Sequence, residues 1–235
     1  FNRQTHFMLA IIRANAYFFL GLLLFTIAGG LLLWQTEHGA VIWYFSARRT
    51  MFGDLFFRYF TKVGEINSYL LLTIAFLFYR YRYAFLVPLT GFLTLGVSLA
   101  AKTYFGHPRP VVYFKTYGVF DQLNTVEGVA LFGSASFPSG HTMSAFALFG
   151  LLAMISPRKK TVGLLLFIIA LLIGISRVYL IQHFFEDIYA GALAGTSLAL
   201  LIYYVQSFLS DRPELWYNQS LRTWKSAPWR KMNQA

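Results

Sequence analysis

Long apolar stretches, nearly free of charged side chains, recur along the chain. A helix needs about 20 apolar residues to cross a hydrocarbon core of roughly 30 Å, and six stretches approach that length. They are residues 14–34, 66–79, 83–101, 137–155, 161–181 and 188–209. The second is short, but Arg80 and Arg82 at its end have long side chains that can reach the interface. The pattern predicts an all-α bundle of six transmembrane helices.

The segment between the first two predicted spans has the pattern of an amphipathic helix. Over residues 50–64, Asp54, Arg58 and Lys62 recur every fourth residue. The apolar side chains recur at helical spacing on another face: Met51, Phe52, Leu55, Phe56, Tyr59 and Val63. This pattern predicts a helix lying in the membrane interface. Residues 111–136 show no strong period and predict a loop long enough to cover a site.

The composition agrees with a membrane protein. Hydrophobic residues fill 57% of the 235 positions and charged residues only 12%, whereas roughly a quarter of the residues in soluble domains are charged. The chain has no cysteine, which excludes disulfides, thiolate nucleophiles and thiolate metal sites. We interpret residues 1–235 as one integral membrane domain. Because the first residue is Phe, we expect the native start to lie upstream.

The net charge of +11 is better explained by topology than by nucleic-acid binding. Basic residues that flank membrane spans gather on the cytoplasmic side. With the N-terminus inside, twelve of the 20 Lys and Arg residues fall on cytoplasmic segments and eight on the opposite face. We therefore predict a multi-pass protein of the inner membrane, with both termini and residues 157–160 in the cytoplasm. Its expected partners are membrane lipids, with no nucleic acid and no obligatory protein partner.

Ionisable residues gather at the predicted outer ends of the spans, where such residues usually have a function because they are costly in a membrane. Lys102, Arg109 and Arg177 supply about three positive charges, which suits a dianionic phosphate better than a carboxylate. The segment 138–141, PSGH, opens the fourth span. Pro138 suits a first helical turn and Ser136 could cap it, so the amides that follow would form an anion site facing the periplasm or exterior.

Two histidines and one carboxylate supply the remaining chemistry. His183 and Asp187 are four residues apart and would share a helical face. Asp187 can then fix the tautomer of His183 and stabilise its charged form, which leaves the other ring nitrogen free to attack phosphorus. His141 lies at the predicted anion site and could protonate the leaving oxygen on the opposite side of the phosphorus.

Three segments carry these residues: 102–110, KTYFGHPRP; 138–141, PSGH; and 176–187, SRVYLIQHFFED. In order and spacing they resemble the signature motifs of the type 2 phosphatidic acid phosphatase family, also called the lipid phosphate phosphatases. The resemblance implies a metal-independent phosphatase without a cofactor. It implies a phosphohistidine on His183, with His141 as general acid and Asp187 orienting His183. The residues implied to bind phosphate are Lys102, Arg109, Ser139, Gly140 and Arg177.

Structural roles are the alternative for each of these residues. Interfacial anchoring would account for the cations, and a helix-tying hydrogen bond would account for the His183–Asp187 pair. We interpret His107 as a residue of the pocket rim, and His6, His38 and Glu186 as residues without a catalytic role. The His-x3-Asp spacing would also suit zinc, but three fixed cations in the same pocket would repel a metal ion.

Four functions agree with this pattern. The first is hydrolysis of a lipid phosphate or diphosphate, such as phosphatidylglycerophosphate, phosphatidic acid or undecaprenyl diphosphate. The second is transfer of the phosphoryl group to another lipid, the third is transport of phosphorylated solutes, and the fourth is a non-enzymatic scaffold. An intact nucleophile, acid and orienting carboxylate favour the two enzymes. Head-group selection would come from residues 111–136 and the interfacial helix.

Overall fold

The regular secondary structure is helical. The computed structural model describes residues 3–133, 135–157, 159–208 and 216–223, and this part of the chain contains no strand. Its α-helices are α1 (Arg3–Ala14), α2 (Ala16–Gln35), α3 (Ala40–Ala47), α4 (Met51–Phe60), α5 (Ile66–Leu77), α6 (Tyr81–Phe105), α7 (Pro110–Thr116), α8 (Gly140–Ile155), α9 (Lys159–Tyr179) and α10 (Phe185–Ser207). Three short 3₁₀ turns are Thr61–Gly64, Phe120–Gln122 and Trp216–Asn218.

Four helical regions within the described residues are long and apolar enough to cross a membrane, which makes the chain an integral membrane protein. They are Ala16–Gln35, Tyr81–Thr116, Lys160–Tyr179 and Phe185–Ser207. The other two predicted spans are helical but shorter, because α5 has 12 residues and α8 has 16. The all-α prediction is confirmed, whereas six complete spans stay a prediction.

Helix α8 lies at the centre of the bundle. Its side chains Ala145, Phe146, Leu148 and Leu151 have no exposed surface. The helix packs against α6, α9 and α10. An apolar helix that is buried all round belongs in a core, so α8 forms the centre around which the other helices pack.

A stripe of small residues brings α10 close to α8. Gly191, Gly195 and Ala199 recur at four-residue intervals and are buried. A Cβ at Gly191 would come 2.9 Å from the carbonyl oxygen of Ser139, and one at Gly195 would overlap the carbonyl oxygen of Met143. Small residues at such spacing let two membrane helices approach closely. Asp187 continues the stripe by one turn and is thereby placed at the start of α8.

The predicted amphipathic helix is present as α4 followed by the turn Thr61–Gly64. On its polar face, Asp54 contacts the protein and accepts hydrogen bonds from Tyr179 (2.7 Å) and Arg49 (3.1 Å). Its apolar side chains Met51, Phe52, Leu55, Tyr59 and Val63 are exposed. A helix is therefore present where one was predicted, whereas its position in the membrane interface stays a prediction.

Three helices were not predicted. Helices α1 and α3 flank the first span, and α7 interrupts the segment expected to be a loop. Helix α7 has only seven residues and begins with Pro110 at its first position, which is favourable there because proline has no N–H to leave unpaired. A segment this short gives too few turns for a hydrophobic period to show.

The structure describes only some of the basic residues from which the membrane orientation is predicted. Arg158 and most of the basic tail after Asp211 lie outside the described residues. The described piece of that tail begins at Trp216 and is tied to the bundle by two backbone hydrogen bonds, Tyr81 N–H to Gln219 (2.8 Å) and Leu221 N–H to Leu77 (2.9 Å).

Candidate active site

His183, Asp187 and Ser136 form a buried hydrogen-bonded cluster. The Nδ1 atom of His183 lies 3.2 Å from Oδ2 of Asp187 and 3.2 Å from Oγ of Ser136. Ser136 also donates to the same carboxylate oxygen, and the backbone N–H of Phe184 donates to it at 2.9 Å. With Nδ1 directed at Asp187, Nε2 is the ring nitrogen left for chemistry, and it has no hydrogen-bond partner in the described part of the chain.

The prediction that His183 and Asp187 share a helix is wrong, although the contact itself is present. Helix α9 ends at Tyr179 and α10 begins at Phe185, so His183 lies in the turn between them. The amides of Gln182 and His183 donate back to the carbonyl oxygen of Arg177, at 2.8 and 3.2 Å. Asp187 lies in the first turn of α10 and reaches back to the preceding residues, as carboxylates near a helix start do.

Burial keeps His183 neutral. The side chain is 1% exposed, and this burial lowers the pKa of His183 from 6.5 to about 4. Asp187 opposes the shift because it stabilises the imidazolium, whereas the nearby guanidinium groups of Arg109 and Arg177 add to it. A neutral imidazole at physiological pH has a lone pair available for attack.

The start of α8 differs from the prediction. Ser139 is the N-cap, and its hydroxyl accepts from the backbone N–H of Thr142 at 3.4 Å and from the Thr142 hydroxyl at 3.0 Å. Ser136 instead joins the His183 cluster, and Pro138 precedes the helix. The backbone N–H of Ser139 donates to the carbonyl oxygen of Asp187 (3.0 Å), so it is not free for an anion. The Ser139 hydroxyl still has a proton to donate.

Two of the predicted cations are buried beside this cluster. Arg177 is 7% exposed; its Nη1 donates to Thr61 at 2.9 Å, while its Nε has no partner in the described part of the chain. Arg109 is 8% exposed, and its Nη1 donates to the backbone and side-chain oxygens of Gln182, at 3.2 and 3.4 Å. A buried guanidinium nitrogen without a hydrogen-bond partner, such as Nε of Arg177, is costly unless an anion binds it.

Lys102 reaches the start of α8 from the last turn of α6. A Cβ at Gly140 would come 3.0 Å from Oγ of Ser98 and 3.8 Å from Nζ of Lys102. The absence of a side chain at Gly140 therefore lets the ammonium group and the backbone of α8 approach each other. The predicted phosphate-binding residues Lys102, Gly140 and Arg177 thus come from three helices that meet at this point.

A cleft of about 650 Å³ opens beside this point. His141, Gly140 and Arg177 line it, together with residues of α4, the Thr61–Gly64 turn and the loop 128–132. The Nε2 atom of His141 lies 3.8 Å from a carboxylate oxygen of Glu65, and both side chains are more than a third exposed. His183 is not a lining residue and lies behind this surface.

The sequence does not predict the positions of four residues of the site. Ser136 was expected to cap α8, and Thr61, Glu65 and Gln182 were given no role. Thr61 is 116 positions from Arg177, and Gln182 is 73 positions from Arg109. No local pattern predicts pairs this distant. The only sequence signal for any of the four was that Ser136 lies two residues before Pro138. That position suits either a cap of α8 or a contact with the His183 cluster.

Three residues that were given no catalytic role have contacts of their own. The prediction that His107 lies at the pocket rim is not met: its ring packs against Phe105 and Phe137, and it does not line the cleft. His38 and Glu186 pair with each other, with 2.6 Å between Nδ1 and Oε1. Among the residues described, no three His, Asp or Glu side chains gather as a set able to hold a metal ion.

These features define an integral membrane protein with a buried histidine–aspartate pair beside a cluster of cationic side chains. A family model described as the PAP2 superfamily matches residues 82–211, and the chain belongs to that superfamily. The match spans all three motifs and five of the helices, α6 to α10.

Curated relatives match about half of the chain. Phosphatidylglycerophosphatase B of Bacillus subtilis (strain 168) is 32% identical over 142 residues, which cover 52% of this chain and 66% of that protein. Lipid phosphate phosphatase 1 of Arabidopsis thaliana is 34% identical over 140 residues, which cover 51% of this chain and 42% of that protein. The chain thus spans less than two thirds of the length of these relatives.

Two solved structures share the fold. The crystal structure of Aquifex aeolicus LpxE matches with a TM-score of 0.60 and 25% identity, covering 72% of this chain and 96% of that one. A transmembrane PAP2-type phosphatidylglycerolphosphate phosphatase from Bacillus subtilis matches with a TM-score of 0.59 and 22% identity, covering 84% of this chain and 98% of that one.

Proposed function

We propose that this protein is a lipid phosphatase that hydrolyses a lipid phosphate or diphosphate through a phosphohistidine on His183. The observation that carries the proposal is the buried His183–Asp187–Ser136 cluster next to three cations and a second histidine. Membership of the PAP2 superfamily supports it, as do relatives named as phosphatases. The proposal treats residues 1–235 as one membrane domain.

In the first step the neutral Nε2 of His183 attacks phosphorus and the bond to the lipid oxygen breaks. His141 donates a proton to that oxygen, so the lipid leaves as an alcohol. Asp187 stabilises the positive charge that develops on His183. Lys102, Arg109 and Arg177, with Ser139 and Gly140, hold the phosphoryl oxygens and offset their negative charge.

In the second step water attacks the phosphohistidine and the phosphorus–nitrogen bond breaks. His141, now neutral, takes a proton from the water, which restores both histidines and releases inorganic phosphate. Since cations and hydrogen-bond donors perform the electrostatic work, we propose that the reaction needs no metal ion and no cofactor.

We further propose that the protein is a multi-pass protein of the inner membrane with six spans, with α4 in the interface. Both termini face the cytoplasm and the site faces the periplasm or exterior. The excess of basic residues on the predicted cytoplasmic segments supports this orientation. The proposed partners are lipid substrates and membrane lipids, without an obligatory protein partner.

Release of phosphate by the purified protein from a panel of lipid phosphates tests this function. We expect release in the presence of EDTA, and inhibition by vanadate as a five-coordinate mimic of the transition state. Offering a lipid alcohol as acceptor separates hydrolysis from phosphotransfer, the second candidate from the same site. Activity that disappears in EDTA and returns with zinc or magnesium would exclude the metal-free mechanism, and binding without turnover would favour a transporter.

A further inference from the structure

The wall of the cleft carries more positive charge than one phosphate requires. Arg58 and Lys62 line the cleft together with Arg177. Arg177 donates to Thr61, and Arg58 precedes Thr61 by three residues. Residues three apart on a helix are neighbours on one face, about one turn or 5 Å apart. Positive charge therefore extends from Arg177 outward along α4.

The loop that covers the cleft holds Arg58 in place. Its Nη1 donates to the carbonyl oxygen of Glu127 at 3.1 Å. The next residue, Gly128, has a φ of +70°, and a Cβ there would come 2.8 Å from Nη2 of Arg58. Glycine at this position both permits the left-handed backbone and lets the loop pack on the guanidinium. Arg58 is thus an ordered group at the mouth of the cleft.

Among the described residues, Arg58 and Lys62 have no carboxylate beside them to offset their charge. In the part of the chain that the structure describes, no acidic side chain lies within 4 Å of Arg58 or Lys62. Glu65 is the single carboxylate among the lining residues, and it lies 3.8 Å from His141. Uncompensated cations in a cleft concentrate anions there.

We infer that the cleft takes lipids that carry a second phosphate beside the scissile one, and that Arg58 and Lys62 bind this second phosphate. The inference rests on the proposed phosphatase function and narrows its substrate class. Two kinds of lipid share this chemistry: a diphosphate ester, and a phosphomonoester separated from a phosphodiester by a glycerol. Phosphatidic acid has one phosphate and leaves the Arg58–Lys62 pair without a partner.

Calorimetric binding of inorganic pyrophosphate and orthophosphate to the purified full chain tests the pair without turnover. We expect pyrophosphate to bind about tenfold more tightly, because it adds a charge-assisted contact. Arg58→Gln and Lys62→Gln should each reduce that ratio, whereas Arg48→Gln should keep it. Arg48 is an exposed cation that stacks on Tyr44 at 4.3 Å, outside the cleft. Lys62 is exposed, so its variant keeps the test valid if Arg58→Gln fails to fold.

The same variants are then compared on phosphatidylglycerophosphate, undecaprenyl diphosphate and phosphatidic acid. We expect the wild-type kcat/KM for at least one two-phosphate lipid to exceed that for phosphatidic acid by about tenfold, and the Arg58 and Lys62 variants to lose most of this advantage. The lipid that shows the advantage identifies the source of the second phosphate.

Equal binding of pyrophosphate and orthophosphate, or a ratio unchanged in both variants, would overturn the inference and leave the phosphatase proposal standing. Selective pyrophosphate binding with no hydrolysis of any lipid phosphate would do the opposite: it would support the second anion site and refute the proposed function.

Discussion

Ser136 donates a hydrogen bond to the same carboxylate oxygen of Asp187 that lies 3.2 Å from Nδ1 of His183. A serine just before α8 thereby fixes the carboxylate that orients the proposed nucleophile. The bond also joins two helix starts, since Asp187 lies in the first turn of α10. The position of His183, the proposed nucleophile, therefore depends on how closely α8 and α10 pack.

Removing the Ser136 hydroxyl tests this link. We expect Ser136→Ala to lower kcat about tenfold, because Asp187 loses a charge-assisted hydrogen bond and holds the imidazole less firmly. KM should change little, since Ser136 is not proposed to contact the phosphate. Ser46→Ala is the matched control. Ser46 is also buried, and its hydroxyl accepts a hydrogen bond from the backbone N–H of Asn124 at 2.7 Å, outside the site. Equal losses in both variants would mean that Ser136 matters only for folding.

The spacing of helices α8 and α10 gives a second prediction. A methyl group at Gly195 would overlap the backbone of Met143, so Gly195→Ala should destabilise the protein by about 1–3 kcal/mol and lower kcat by separating Ser136 from Asp187. Gly96→Ala is the control, because a Cβ at Gly96 meets nothing within 4 Å. Thermal unfolding in detergent and activity measure both effects. An unchanged melting temperature in Gly195→Ala would contradict the tight packing.

Which residues lie close together in the candidate site was more predictable from sequence than how they are held there. The four-residue spacing of His183 and Asp187 gave the right contact, although one partner lies in a turn. Arg177 was a candidate because it is a lone cation near the end of an apolar stretch. The partners of these residues could not be predicted, since Thr61 meets Arg177 only after α4 packs on α9.

The ends of the membrane spans also depend on contacts between distant residues, which the sequence does not reveal. Four of the six predicted spans correspond to described helical regions that are long and apolar enough to cross a membrane. Helix α8 is shorter because Ser139, rather than Ser136, caps it. Ser136 and Ser139 are three residues apart, and either could cap the helix. Ser136 instead donates a hydrogen bond to Asp187 of α10, and Ser139 is the cap. Local propensity contains no information about that contact.

The protonation of His183 gives a prediction that does not require activity. Because burial lowers its pKa to about 4, its imidazole should stay neutral at pH 5, where a model histidine of pKa about 6.5 is mostly charged. Nitrogen NMR of histidine-labelled protein measures this, and His183→Ala assigns the signal. The folded state resists a proton that the unfolded state accepts, so this group lowers stability as the pH falls from 6.5 towards 4. Titration near 6.5 would refute the burial argument.

The proposed orientation can be tested by labelling, because the chain has no cysteine of its own. A cysteine at Gln122, which is exposed in the loop region, should react with an impermeant thiol reagent in intact cells. A cysteine at Lys160, exposed at the start of α9, should react only after the membrane is opened. Reactivity of both in opened membranes is the control. The reverse pattern in intact cells would place the site in the cytoplasm.

The last prediction separates the two histidines by the leaving group of the substrate. His141→Ala should slow the reaction by about 10²–10⁴-fold for lipid alkoxide leaving groups, which need a proton. It should slow p-nitrophenyl phosphate far less, because p-nitrophenolate leaves without protonation. His183→Ala should abolish the reaction with both substrates, since it removes the atom that forms the covalent bond. Acid-labile phosphate trapped on the wild type and on His141→Ala, but absent from His183→Ala, would agree with these roles. Phosphate trapped on His141 when His183 is replaced would mean that the roles are reversed.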